Sequence, residues 1–172
     1  LVVDGESGDL DRQQARAQEF AEQVADLIAD GWTVVVTHGN GPQVGFILRR
    51  SELALSELHP VPLDSCGADT QGAIGYMIQL SLANAFRRRG MDRTAVSVVT
   101  LVEVDPTSPE MARPSKPIGS FMDEATARAR AAKGGWAIAE DAGRGWRRVV
   151  PSPEPKAIVE LAPSAVELVD RT

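Results

Sequence analysis

Trp32-Thr-Val-Val-Val-Thr-His38-Gly39-Asn40-Gly41-Pro42-Gln43-Val44-Gly45 is the stretch that most narrows the fold. Valines 34 to 36 lie between two threonines and make a short β-branched run, the composition of a buried strand. Gly39, Asn40 and Gly41 then turn the chain, and the fixed φ of Pro42 suits the first turn of a helix. A strand that ends in glycines and opens a helix lets backbone approach a ligand closely. It also aims unpaired N–H groups and the positive end of the helix dipole at that ligand. The corner is therefore a candidate anion site. Taken alone, Gly39-x-Gly41-x-x-x-Gly45 also fits a loose dinucleotide fingerprint or a tight turn with no ligand.

The surrounding pattern gives the fold class. Asp9 to Asp30 has Ala17, Phe20, Ala21, Val24, Leu27 and Ile28 on one helical face, with Gly31 placed to close it. A second helix is expected from Pro42 to Leu58, ended by His59-Pro-Val-Pro62. A third, capped by Asp64 or Ser65, runs to Arg87-Arg88-Arg89 before Gly90, and that triplet reads as a solvated helix end. Its small residues Gly72, Gly75, Ala83 and Ala85 suit close packing on a neighbour. Thr94 to Val104 is the second β-rich run, and helices between apolar strands imply a parallel sheet covered on both faces. The predicted fold is α/β, a three-layer sandwich with a mainly parallel sheet and a small inserted α+β subdomain. Residues 1–105 and 151–172 are expected to form the core, and 106–150 the subdomain. The subdomain reads as a proline-rich excursion carrying Lys116, a helix over 122–133 capped by Asp123, and a hairpin of strands 136–140 and 146–150. Pro163 to Asp170 returns to a helical pattern.

Composition removes several functional classes. The net charge of −6 and pI of about 5.0 provide no field that favours nucleic acid or an anionic membrane. One cysteine and two histidines leave no internal disulfide and no metal-ligand constellation. No apolar run approaches the roughly 20 residues that span a bilayer, and no signal peptide is visible, so the expected location is cytoplasmic.

Lys116, in Arg113-Pro-Ser-Lys116-Pro-Ile-Gly119, has a proline on each side of its loop and could offer a pre-ordered cation to an anionic group; on spacing alone an exposed surface lysine is the commoner reading. Arg144, Arg147 and Arg148 form a second basic patch, for which Glu140 and Asp141 are ready ion-pair partners. His38 reads as a buried, hydrogen-bonded residue at a strand end, and Cys66 as a packing residue.

Several stretches resemble one family, the carbamate kinases of the amino-acid-kinase fold. They are residues 35–45, Pro-Leu-Asp-Ser-Cys-Gly-Ala-Asp-Thr-Gln-Gly-Ala-Ile-Gly-Tyr at 62–76, Val-Asp-Pro at 104–106, Lys116-Pro-Ile-Gly119, and Glu-Asp-Ala-Gly-Arg-Gly-Trp-Arg-Arg-Val-Val-Pro-Ser-Pro-Glu-Pro at 140–155. They occur in the family's order and together cover nearly the whole chain. The resemblance implies reversible phosphoryl transfer between ATP and carbamate, giving ADP and carbamoyl phosphate, with Mg²⁺ screening the phosphates. It implies that Gly39, Asn40 and Gly41 line the carbamate and transferred-phosphoryl site, that Lys116 neutralises phosphoryl charge, and that the protein is a homodimer.

The family's opening Gly-Gly-Asn-Ala-Leu is represented only by Leu1, and its nucleotide half would begin soon after Thr172. The chain is therefore expected to be an internal portion of a longer polypeptide, with no ATP pocket of its own. A non-catalytic relative that senses a ligand or docks a partner is the alternative. A dinucleotide-binding oxidoreductase would need an acidic residue ending a second strand about 20 residues after its glycines. The chain has helix and His59-Pro-Val-Pro62 there instead.

Overall fold

A computed structural model describes residues 10–159, so Asp9 and the helix expected over 163–170 lie outside the described residues. The order is α1 (Leu10–Ala29), α2 (Gly41–Leu53), α3 (Leu63–Arg88), β1 (Leu101–Val104), α4 (Pro109–Ala112), β2 (Lys116–Met122), α5 (Glu124–Gly134), β3 (Ala137–Glu140), β4 (Trp146–Val150) and β5 (Pro155–Val159). The described residues divide into two compact units, one of residues 10–43 and 67–99, the other of 44–66 and 100–159. Both are α/β in content or pattern.

The first unit is held by α1 against α3. Ala21, Val24 and Ala25 of α1 meet Ile74, Ile78, Leu82, Ala85 and Phe86 of α3 in one buried cluster. The alanines of α1 let the helix axes approach, and the larger α3 side chains fill the space between. Two buried hydroxyls are satisfied locally: Thr70 Oγ1 donates to the Gly67 carbonyl at 2.7 Å, and Ser81 Oγ to that of Met77 at 2.8 Å. Both helices end in a Schellman closure. The N–H of Gly31 donates to Ile28 O and that of Trp32 to Leu27 O; Gly90 and Met91 repeat the pattern on Arg87 O and Phe86 O. The arginine triplet is more than a solvated end, because Arg88 and Arg89 reach Glu22, and Arg89 also Asp26, on α1.

Two extended segments, 32–40 and 91–100, lie on this helical pair. Val34 and Val36 pack on the cluster while Val35 between them is 76% exposed, the period-two alternation of a strand. Neither 32–40 nor 91–100 carries a strand ladder among the described residues, however, and of the run expected over 94–104 only Leu101–Val104 is strand. Sequence pattern reports which side chains turn inward, whereas a strand is defined by a hydrogen-bonded neighbour. Gly75 permits the close contact of α3 with the second segment, since a Cβ there would meet Ser97 Oγ at 2.8 Å.

The second unit contains two antiparallel sheets. β1 pairs with β5, with Val102 opposite Ile158, and β4 lies between β2 and β3. β5 falls in a proline-rich stretch that the sequence alone leaves without structure. α2 is shorter than expected, ending at Leu53, and residues 54–57 continue as turns. α3 begins before its expected caps, with the Pro62 carbonyl accepting from Cys66 N–H at 2.9 Å. α5 matches its expected start: Asp123 Oδ1 accepts from the Thr126 N–H at 2.8 Å. The β3–β4 turn is closed by Asp141 N–H to Gly145 O at 2.8 Å.

Phe86 is 3% exposed at the centre of the α1–α3 cluster. Phe86→Ala is expected to cost about 3–5 kcal/mol in urea unfolding, because the cavity it leaves cannot fully collapse. Leu80→Ala on the solvent side of the same helix should cost well under half as much.

Candidate active site

The glycine corner sits where the sequence places it in the first unit, between the extended segment and α2. Gly41 is the first residue of α2, with φ of +30°, and Asn40 immediately precedes it, half-buried. A Cβ added at Gly39 would meet nothing within 4 Å, so that face of the backbone is open to an incoming group. The first N–H groups of a helix have no intrahelical acceptor, and the dipole is positive there. Pro42 has no N–H, so Gly41, Gln43 and Val44 supply the donors. The Gln43 side chain is turned aside, its Nε2 donating to Gln13 Oε1 at 3.3 Å.

His38 departs from expectation. It is exposed rather than buried, and its Nδ1 donates to the adjacent Gly39 carbonyl at 3.1 Å. The apolar valine run suggests burial, but His38 lies past the last residue that the helical pair covers. Cys66 is fully buried, as its packing role requires.

Lys116 belongs to the second unit and begins β2, a strand where the sequence suggests an irregular loop. It lies opposite Val150 of β4, and the preceding Ser115 N–H donates to the Val150 carbonyl at 3.2 Å. Its side chain is exposed, and among the described residues no ion pair holds its ammonium. Pro114 and Pro117 flank a cation presented from a paired strand rather than from a loose excursion. The β2–β4 register shifts between Ile118 and Met122, and Gly119 sits in that irregularity with φ of +74°. Gly45 of α2 packs on this backbone: its added Cβ would lie 3.6 Å from Gly119 Cα.

The arginines of the hairpin are committed internally. Asp141 accepts from Arg144 and Arg147, each at 2.9 Å, while its own side chain is 12% exposed. Arg147 and then Arg144 hold the Asp141 carboxyl below its ordinary range. Arg144 and Arg147 also lie over the Phe121 ring, and Arg148 over Trp136 at 5.1 Å. Asp105 is likewise held low, first by the Thr107 hydroxyl, then by the Thr107 N–H and by Lys156. The sequence signal for these pairs was charge adjacency alone; the ring contacts had no signal, since they depend on strand register.

With this geometry in view, the chain can be set beside known proteins. It is 48% identical over 159 residues to the carbamate kinase of Pyrococcus horikoshii, covering 91% of this chain and 50% of that one. It is 47% identical over 175 residues to the carbamate kinase of Thermococcus kodakarensis, covering 99% of this chain and 55% of the relative. The chain is a carbamate kinase homologue. Among solved structures, the carbamate kinase of Giardia lamblia bound to AMP-PNP superposes with a TM-score of 0.85 at 37% identity, over 98% of this chain and 53% of that one. No protein-family model matches the chain. The chain spans about half the length of the carbamate kinases it matches. Among the described residues no helix is long and apolar enough to cross a membrane.

Two outcomes follow. Gly119→Ala forces an L side chain into a left-handed conformation, so it is expected to lower stability by about 1–2 kcal/mol in denaturant unfolding. The depressed carboxyls of Asp105 and Asp141 stabilise the fold fully above the ordinary carboxylate value of about 4, and that contribution is lost as pH falls through their lower folded values. Tryptophan fluorescence should therefore report a stability that declines between about pH 5 and pH 2, and Asp141→Asn should flatten that decline.

Proposed function

We propose that this chain is the carbamate-side half of a carbamate-kinase-type phosphotransferase, acting within a longer cytoplasmic polypeptide that is homodimeric. The reaction is reversible phosphoryl transfer between ATP and carbamate. A carbamate oxygen attacks the γ-phosphorus, the bond from that phosphorus to the ADP oxygen breaks, and carbamoyl phosphate and ADP result. The observation that carries this reading is the glycine corner opening directly into α2, with Gly39 open to approach and helix amides beyond it. Gly39, Asn40 and Gly41 take the carbamate and the transferred phosphoryl group. Lys116 brings its ammonium to the phosphoryl oxygens as their charge redistributes. Such a transfer depends on placement and charge stabilisation more than on covalent chemistry, so amides and one lysine are an adequate donor set.

The reading extends to architecture. Residues 32–40 and 91–100 become strands of a mainly parallel sheet in a three-layer sandwich when the rest of the polypeptide pairs with them. The alternating burial of Val34, Val35 and Val36 and the exposure of Trp32, Val35, Val96 and Val98 support this. Residues 106–150 form the protruding subdomain that carries Lys116, and the nucleotide is held by the other half. Magnesium accompanies the nucleotide in this reading. Among the described residues no group of three or more His, Cys, Asp or Glu side chains would hold it, and no step above is routed through it.

Two measurements test the proposal. In the complete polypeptide, Lys116→Ala is expected to lower kcat by about 10²–10³ with a smaller change in KM, the signature of a cation acting on the transition state. Unchanged kcat would remove Lys116 from the chemistry. Titration of the 172-residue chain with Mg-ATP should show no micromolar binding, and tight binding would contradict the division of labour between halves.

A further inference from the structure

Gln13 is a buried polar side chain near the start of α1, 6% exposed, and the proposed chemistry gives it no part. Its Oε1 accepts from Gln43 Nε2 of α2 at 3.3 Å. The next residue, Gln14, points about 100° away around the helix, and its Nε2 donates to Ser81 Oγ of α3, also at 3.3 Å. Adjacent glutamines of α1 thus reach two different helices. One contact belongs to the α1–α3 pair, and the other holds the helix that opens at the glycine corner.

Gln43 has a local alternative to this contact. Asn40-Gly41-Pro42-Gln43 has the spacing of a capping box, in which a glutamine three residues after the N-cap reaches back to the N-cap N–H. Gly41, Pro42 and Val44 carry no side chain that hydrogen-bonds, so Gln43 is the polar side chain of that first turn. Its Oε1 already lies beside the corner, 3.4 Å from the place of a Cβ built on Gly41. A Gln43 carbonyl that capped Asn40 would satisfy a donor that an incoming anion needs. It would also put an acceptor oxygen in front of the corner, in competition with a carbamate or phosphoryl oxygen.

We infer that Gln13 is a positioning residue for the corner: its side-chain carbonyl holds the Gln43 amide out of the capping position and keeps the corner N–H groups available to substrate. A buried acceptor that loses its donor is costlier than the net worth of the bond, so the Gln13–Gln43 contact resists exchange with the local cap. Gln13 acts through Gln43 and does not itself meet substrate. The inference rests on the reading of Gly39, Asn40 and Gly41 as the carbamate and phosphoryl site.

Kinetics of the complete polypeptide, run toward ATP formation from carbamoyl phosphate and Mg-ADP, test this role. Gln13→Ala is expected to raise KM for carbamoyl phosphate about two- to tenfold, the range of one hydrogen bond, with KM for ADP unchanged. In a Gln43→Ala background, which keeps the backbone N–H and lacks the competing carbonyl, Gln13→Ala should have no further effect. A rise that persists in that background would overturn the inference, because it would come from α1 and not from Gln43. Gln14→Ala removes the neighbouring contact to Ser81 and should leave KM for carbamoyl phosphate at its wild-type value; an equal rise would also overturn it. Alanine favours helix at all three positions, and circular dichroism of each variant verifies the fold. Amide hydrogen exchange of the 172-residue chain reads the contact without ligand. Exchange at Asn40 should slow several-fold in Gln13→Ala, as Gln43 caps it, and return in Gln13→Ala/Gln43→Ala. Unchanged exchange at Asn40 would overturn the inference itself. Slowed exchange with an unchanged KM would leave the Gln13–Gln43 contact standing and remove the corner from the substrate site.

Discussion

The packing of α1 on α3 is the constraint from which the position of the glycine corner follows. Small residues on one helix and larger ones on the other fill a continuous cluster, and Val34 and Val36 use that cluster as their floor. Gly39 to Gly41 come two residues beyond these anchored valines, so the turn starts close to a fixed point rather than from free chain. Arg88 and Arg89, holding Glu22 and Asp26, tie the C-terminal end of α3 to α1 and keep the two helices in register. Apolar packing thus sets where the amides at the start of α2 stand, and those amides are the ones proposed to meet the transferred group.

The second unit solves a different problem, how to present a cation from a small fold. Asp141 engages Arg144 and Arg147, and the rings of Phe121 and Trp136 take up the faces of three guanidinium groups. These charges stabilise their own sheet and are spoken for. Lys116 stands at the first position of β2, exposed, with its strand paired to β4 and the Gly119 backbone packed on Gly45. Side-chain freedom on an ordered backbone suits the ligand-meeting role proposed for Lys116.

What could be read from the sequence was what local physics dictates. The periodicity of α1, the glycine closures after α1 and α3, and the Asp123 cap all depend on residues within a turn or two of one another. The failures share a cause. β5, the strand character at Lys116, and the missing ladders at 32–40 and 91–100 all depend on a partner distant in sequence. His38 was placed inside because its apolar neighbours are, although burial here stops with the cluster at Val36. Of the candidate site, the corner was legible from its glycines, whereas the internal use of the arginines required the β4 register.

The central proposal is that the corner amides and the Lys116 ammonium act on one small phosphorylated species. The most direct measurement is an amide NMR titration of the isotope-labelled chain with carbamoyl phosphate. The account predicts shifts concentrated at Gly39, Asn40, Gly41 and Gln43, with a titration several-fold weaker in the Lys116→Ala variant. Shifts confined to other residues, or an identical titration without the lysine, would contradict it.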